Sequence, residues 1–227
     1  MLGALTGVVL AKDGYEPLFN GKDLAGWTVK CRPQDTGKQF WSVVNGVIAC
    51  NSVGRKDHDY VWLVSDREFT DFTLRLKFRI FKDIPGNSGV QIRSRYDDEN
   101  FWMSGPQVDI HPPDAFRAGL LYDETKGVNR WICPSLERGN YSVPVEKTNP
   151  AIKLVYGDEA WNELVIEATG THVKTTVNGQ VAADYNGEGV LNDPFHLEHK
   201  VGTAGHIALQ LHKHDELKID FKDIEIK

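Results

Sequence analysis

The chain has 227 residues, 41% of them hydrophobic, enough apolar material for a large packed core and too much for a disordered chain. Its formal charge is −6 and it holds no run of lysine and arginine, which argues against nucleic acid as a partner. No stretch approaches the roughly 18 to 20 apolar residues of a membrane-crossing helix, so no membrane span is expected.

The apolar run from Leu2 to Ala11 reads either as the remnant of a secretory signal, lacking a basic leading segment, or as an ordinary N-terminal extension over residues 1–13. Residues 14–227 read as one domain. Phe40 to Cys50 carries an Asn45-Gly46 turn between Val43-Val44 and Val47-Ile48. Phe72, Leu74, Leu76, Phe78 and Ile80 alternate with Thr73, Arg75, Lys77 and Arg79, the period of a strand with one buried face. The best helical candidate is short, Asp114 to Ala118, inside an irregular stretch from Tyr96 to Asn149. Trp161 to Ala168 and Thr171 to Val177 read as strands, and Asn178-Gly179 as a hairpin turn returning along Gln180 to Tyr185. Leu217, Ile219, Phe221, Ile224 and Ile226 form a last strand whose change of phase predicts a bulge near Lys222-Asp223. Many short strands with frequent turns predict an all-β sandwich or jelly roll of two antiparallel sheets.

Cys31, Cys50 and Cys133 form no C-x-x-C motif; Cys31 and Cys50 could pair as a disulfide, but buried free thiols are the preferred reading. Nucleophile-elbow, phosphate-loop and dinucleotide fingerprints are absent from the sequence.

Three strand-like segments place unusual polar groups opposite aliphatic ones. Gln91 and Arg93 oppose Val90 and Ile92; Gln107 and Asp109 oppose Val108 and Ile110; His206, Gln210 and His212 oppose Ile207, Leu209 and Leu211. Ordinary solvent faces in this chain carry Lys, Arg and Asp instead. Amide, carboxylate and imidazole groups are short, directional donors and acceptors that suit sugar hydroxyls. Trp102, Trp131, Tyr122 and Tyr141 lie in or beside the irregular stretch, where a ring can stack on a sugar; Trp41 and Trp161 read as core. Glu124, Asp109 and Arg93 are candidates for one charged pocket. Asp97-Asp98-Glu99-Asn100 and Asp57-His58-Asp59 offer oxygen ligands for calcium, and His196-x-x-His199 and His212-x-His214 offer imidazoles for a transition metal, none at a diagnostic spacing, so no cofactor is assigned.

The segment from Gly14 to Trp27, GYEPLFNGKDLAGW, closely resembles the opening of the 3-keto-disaccharide hydrolase domain family, in the concanavalin A-like lectin/glucanase superfamily. The resemblance continues at Gly86 to Arg93, Gly105 to Ile110, Leu120 to Glu124, Gly205 to His212 and Phe221 to Ile226. It implies a concanavalin A-like jelly roll and a secreted or periplasmic bacterial protein acting on an oxidised mono- or disaccharide. Many members carry a glutamate where this chain has Pro106, which moves the expected acid/base role to Asp109 and Glu124. The activity implied is cleavage of a 3-keto-glycoside: a base removes the C2 proton and the C1 substituent leaves. In that scheme Arg93 stabilises the enolate, aided by His212 or a metal, while Asn87, Gln91, Gln107, Gln210, Tyr122 and Trp131 bind the sugar. A non-catalytic carbohydrate-binding module, or a surface interaction domain, would use the same fold and face.

Overall fold

The computed structural model describes residues 12–111 and 117–227. The signal-remnant reading, and most of the helix expected from Asp114, fall outside them. Sixteen strands appear among the described residues: β1 (Glu16–Pro17), β2 (Trp27–Cys31), β3 (Trp41–Val44), β4 (Val47–Asn51), β5 (Val61–Phe69), β6 (Phe72–Ile80), β7 (Ser88–Asp97), β8 (Trp102–Ser104), β9 (Pro106–Ile110), β10 (Leu121–Asp123), β11 (Arg130–Cys133), β12 (Asn162–Thr169), β13 (His172–Val177), β14 (Gln180–Asn186), β15 (Gly205–Leu211) and β16 (Lys218–Ile226). They form two antiparallel sheets of eight. Sheet A runs β14-β13-β12-β6-β16-β4-β3 with β1 on β16; sheet B runs β11-β10-β9-β7-β15-β5-β2 with β8 on β7. The expected all-β jelly-roll sandwich is the observed fold.

The pleat explains the core. Phe72, Leu74, Leu76, Phe78 and Ile80 of β6 are buried while the residues between them are half-exposed. They meet Val90, Ile92, Val108, Ile110, Ile207 and Leu209 of sheet B in one apolar cluster. Each such side chain contributes roughly 1.5–3 kcal/mol on burial. Both Asn-Gly hairpins form, Val44 pairing with Val47 and Val177 with Gln180. Asn178 (φ 48°) and Gly179 (φ 77°) both take the left-handed conformation that such a two-residue turn needs. The bulge near Lys222-Asp223 forms as well: Asp223 has φ 50° and the β16–β6 register skips from Lys222 to Glu225.

One expectation is corrected. Trp161 is not core; it lies half-buried on the outer face of sheet A, beneath the guanidinium of Arg79 (4.7 Å) and the ammonium of Lys222 (4.2 Å). Trp41 is core. Among the described residues the α-helix is α1 (Pro194–His199), a segment with no helical reading from sequence. The Asp193 side chain caps it by accepting from the His196 N–H at 2.9 Å, with a proline in the first turn. His196, buried, ties this helix to sheet B through Asp123 at 3.1 Å, with Asp193 at 2.8 Å on its other nitrogen. Burial pulls the His196 pKa down, but the two carboxylates outweigh it and hold it above its ordinary value. The three cysteines are free.

Candidate functional site

Sheet B presents its outer face to a cavity of about 480 Å³. The floor comes from β9 and β10. Gln107 and Asp109 project on the side opposite Val108 and Ile110, and Tyr122 stands across from Gln107. Glu124 continues that face at the end of β10, its N–H donating to Gly105 O at 3.0 Å while its carbonyl accepts from Trp102 Nε1 at 2.7 Å. On β7, Gly89 pairs with Asp109. A Cβ there would sit 2.6 Å from Gln107 Cδ, so glycine lets the Gln107 side chain lie across the strand. Ser94 Oγ donates to Gln91 Oε1 (3.1 Å) and Gln91 Nε2 to Gln107 Oε1 (3.2 Å), which fixes the orientation of the Gln107 amide.

Of the residues proposed from sequence, the cavity collects Asp109, Glu124, His212, Asn87, Gln107, Tyr122 and Trp131. Gln91 and Gln210 are fully buried and lie beneath it as supports rather than on its surface. Arg93 is a correction. It sits at a bulge, φ 48°, where β7 places two residues, Ile92 and Arg93, between Gln91 and Ser94 against the one, Ile207, that β15 places between Ala208 and His206. The bulge puts Ser94, not Arg93, on the face of Gln91. The Arg93 guanidinium is buried elsewhere, against the Phe72 ring (5.6 Å), donating to Thr70 O (2.6 Å), Gly170 O (2.5 Å) and Asp71 Oδ1 (3.2 Å). It therefore does not reach the cavity and cannot stabilise an enolate there.

The cavity also holds residues that the sequence reading passed over: Tyr60, His111, Arg117, Asn129 and Lys213. Tyr60 precedes β5 and Asn129 precedes β11, positions where no alternation marks a face. Trp102, Tyr122, Trp131 and Tyr141 supply aromatic walls, with Tyr122 and Trp131 edge to face at 5.2 Å.

Two properties set this face apart. The first is that Asn87 Oδ1, Asp109 Oδ2, Asn129 Oδ1 and Trp131 Nε1 are buried without a hydrogen-bond partner in the protein. Buried polar atoms are nearly always satisfied, so four on one cavity mark groups that a polar ligand completes. The second is carboxyl chemistry. Burial pushes the Asp109 pKa up to about 8, pulled back by Arg117 and raised further by the charge of Glu124. Burial likewise pushes Glu124 up to about 7, against the opposing pull of His212 and Gln210. Both carboxyls thus hold their protons into the neutral range, Asp109 more firmly than Glu124. Beside them the Tyr60 phenol, 3.1 Å from His212 Nε2, is held well above its ordinary value, burial being the main cause.

The candidate metal ligands are engaged otherwise. Asp97 Oδ1 accepts from Glu99 N and Asn100 N, Asp57 pairs with Lys38, Asp59 with Arg32, and His196 lies between two carboxylates. Among the described residues no three His, Cys, Asp or Glu side chains are grouped to hold a metal ion, so the donor sets read from sequence do not fit one. Nor, among those residues, is any helix long and apolar enough to cross a membrane.

Solved structures share the fold. A "putative glycosyl hydrolase" of Parabacteroides distasonis superposes with a TM-score of 0.59 at 20% identity, covering 94% of this chain and 93% of its own. The carbohydrate-binding module CBM66 of Bacillus subtilis gives 0.50 at 16% identity, over 88% and 93%. The exoplasmic/lumenal domain of VIP36 in its Ca2+/Man-bound form gives 0.54 at 8% identity, over 89% and 82%. No functionally curated protein matches the sequence. The profile of one family, described as the 3-keto-alpha-glucoside-1,2-lyase-like domain, matches residues 14–227, and the chain belongs to that family.

Proposed function

We propose that the cavity is the active site of an enzyme that cleaves 3-keto-glycosides, 3-keto-disaccharides among them, by eliminating the C1 substituent and then adding water. The observation that carries this reading is the pair of buried carboxyls, Asp109 and Glu124, on one cavity wall with pKa values raised to about 8 and about 7. Family membership supports the substrate class.

The chemistry follows from the ketone. A carbonyl at C3 makes the C2 proton acidic, and an ionised Glu124 is the base that removes it. Negative charge then develops on the C3 oxygen. Asp109, still protonated at neutral pH, donates a hydrogen bond there, with Arg117 beside it to favour the charge. Asn87, Gln107, Asn129 and Trp131 hold the sugar hydroxyls, and the aromatic walls pack on its ring. Loss of the C1 substituent leaves an unsaturated 3-keto sugar; water adds at C1 and Glu124 returns the proton to C2, giving 3-keto-glucose.

The test is incubation with a panel of 3-keto-glucosides, with and without chelator, following free 3-keto-glucose. Release insensitive to chelator is expected. Undiminished release by the Asp109→Asn/Glu124→Gln double variant would sink the reading. A sugar that raises the melting temperature but is never cleaved would favour the binding-module alternative.

A further inference from the structure

The proposed reaction leaves one requirement unmet by Asp109 and Glu124: a proton for the departing glycosidic oxygen. At the opposite end of sheet B from β11, Tyr60, His212 and Asp215 form a chain of polar contacts ending in the cavity. The Tyr60 oxygen lies 3.1 Å from His212 Nε2, and His212 Nδ1 lies 3.4 Å from Asp215 Oδ2. The same Nδ1 lies 3.1 Å from the carbonyl oxygen of Lys213, which can only accept, so Nδ1 carries a proton and Nε2 faces the phenol. Asp215 Oδ2 is fixed in turn by the Asn87 N–H at 2.8 Å. Tyr60 is held rigidly: its ring stacks on Trp62 at 5.2 Å and meets Trp102 and His212 edge on, at 5.2 Å and 4.8 Å.

We propose that Tyr60 is the catalytic acid of this site, donating its hydroxyl proton to the leaving oxygen, with His212 and Asp215 as the positioning residues that recharge it. The assignment rests on the elimination reading above. In the first step the C1–O bond breaks, its electron pair stays on the oxygen, and that oxygen takes the Tyr60 proton. The scheme requires His212 to enter this step protonated on both nitrogens; it passes its Nε2 proton to the Tyr60 oxygen in the same movement, so no free phenolate forms. This suits a phenol whose ionisation burial disfavours. When water adds at C1 the flow reverses: water gives a proton to Tyr60, Tyr60 gives one to His212, and Glu124 returns its proton to C2. The cycle closes with every group restored. Asp215, where burial is outweighed by His212 and the Asn87 N–H, stays below its ordinary pKa and remains the anion that supports the imidazolium.

The experiment compares two leaving groups, 4-nitrophenyl 3-keto-α-glucoside and a 3-keto-disaccharide, in the wild-type protein, Tyr60→Phe and Asp215→Asn. Nitrophenoxide departs without a proton; a sugar alkoxide does not. Tyr60→Phe should lose about 100-fold or more on the disaccharide, within the usual range of acid catalysis, and less than about threefold on the nitrophenyl substrate. Asp215→Asn should show the same selective loss, smaller, with unchanged affinity for 3-keto-glucose. Equal losses on both substrates, or none on either, would overturn the assignment while leaving the reaction standing. A wild-type protein inactive on both would overturn the reaction itself, and this assignment with it.

Discussion

The outer faces of the two sheets are both rich in polar groups and differ in how those groups are satisfied. On sheet A, Arg75 pairs with Glu225 at 2.5 Å, Lys77 with Asp223 at 3.0 Å and Arg79 with Asp220 at 2.6 Å, and the cations also cover Tyr15 and Trp161. On sheet B, among the described residues, no cation is salt-bridged to Asp109 or Glu124, and four buried polar atoms of the cavity, Asp109 Oδ2 one of them, lack partners. A face that completes its own interactions is finished as solvent surface. One that holds desolvated carboxyls and orphaned amides stores free energy that a ligand can release. Sheet B pays for that readiness in stability.

Four measurements can break or sharpen this contrast. The largest effect is expected from Glu124→Gln, which keeps the shape and removes the base: turnover of a 3-keto-glucoside should fall by about 100-fold or more with the melting temperature unchanged or raised. Retained turnover would move the base elsewhere. Next comes the pH dependence of stability. Asp109 and Glu124 bind their protons more tightly folded than unfolded, their values rising from 3.8 to about 8 and from 4.5 to about 7. The fold therefore loses stability as pH rises through that window. Asp215 and Asp193, held low, act in the opposite sense and only toward acid pH. Thermal melts across the window should slope downward, and Asp109→Asn should flatten the slope; an unchanged slope would contradict the burial of that carboxyl. Third, Arg93→Met should cost about 3 kcal/mol of stability in denaturant unfolding, because Asp71 and the Thr70 and Gly170 carbonyls lose their donor. Turnover per folded molecule should not change, and a selective loss of turnover would restore Arg93 to the site. The smallest effect is on sheet A: Lys77→Ala should change stability by less than about 1 kcal/mol and activity not at all.

Much of the fold was legible because it depends on period. The alternation of β6, the two Asn-Gly turns and the slipped phase at Asp223 each leave a local mark in the chain. Arg93 shows where that legibility stops. A bulge with a non-glycine residue in the left-handed region leaves no compositional trace, and one extra residue moved a side chain off the face it was read on. In the site, residues on regular strands, Gln107 and Asp109, were found by their face. Tyr60, Asn129, Arg117 and Lys213 lie in connections, where only the closed sandwich brings them together. Trp161 shows a related limit, since a tryptophan beside a strand reads as core unless the cations that cover it are seen. Pro106 falls on the Val108 side of β9, away from the cavity, whereas Asp109 and Glu124 line it.

Asp123 and Glu124 are neighbours in sequence with opposite allegiances. The first grips His196 of α1 in the interior; the second faces the cavity. They share a peptide bond, so the anchor of the helix and the cavity carboxyl are adjacent residues of one chain segment. A substitution in α1 that frees Asp123 from His196 is therefore expected to disturb the setting of Glu124 without changing any residue on the cavity wall.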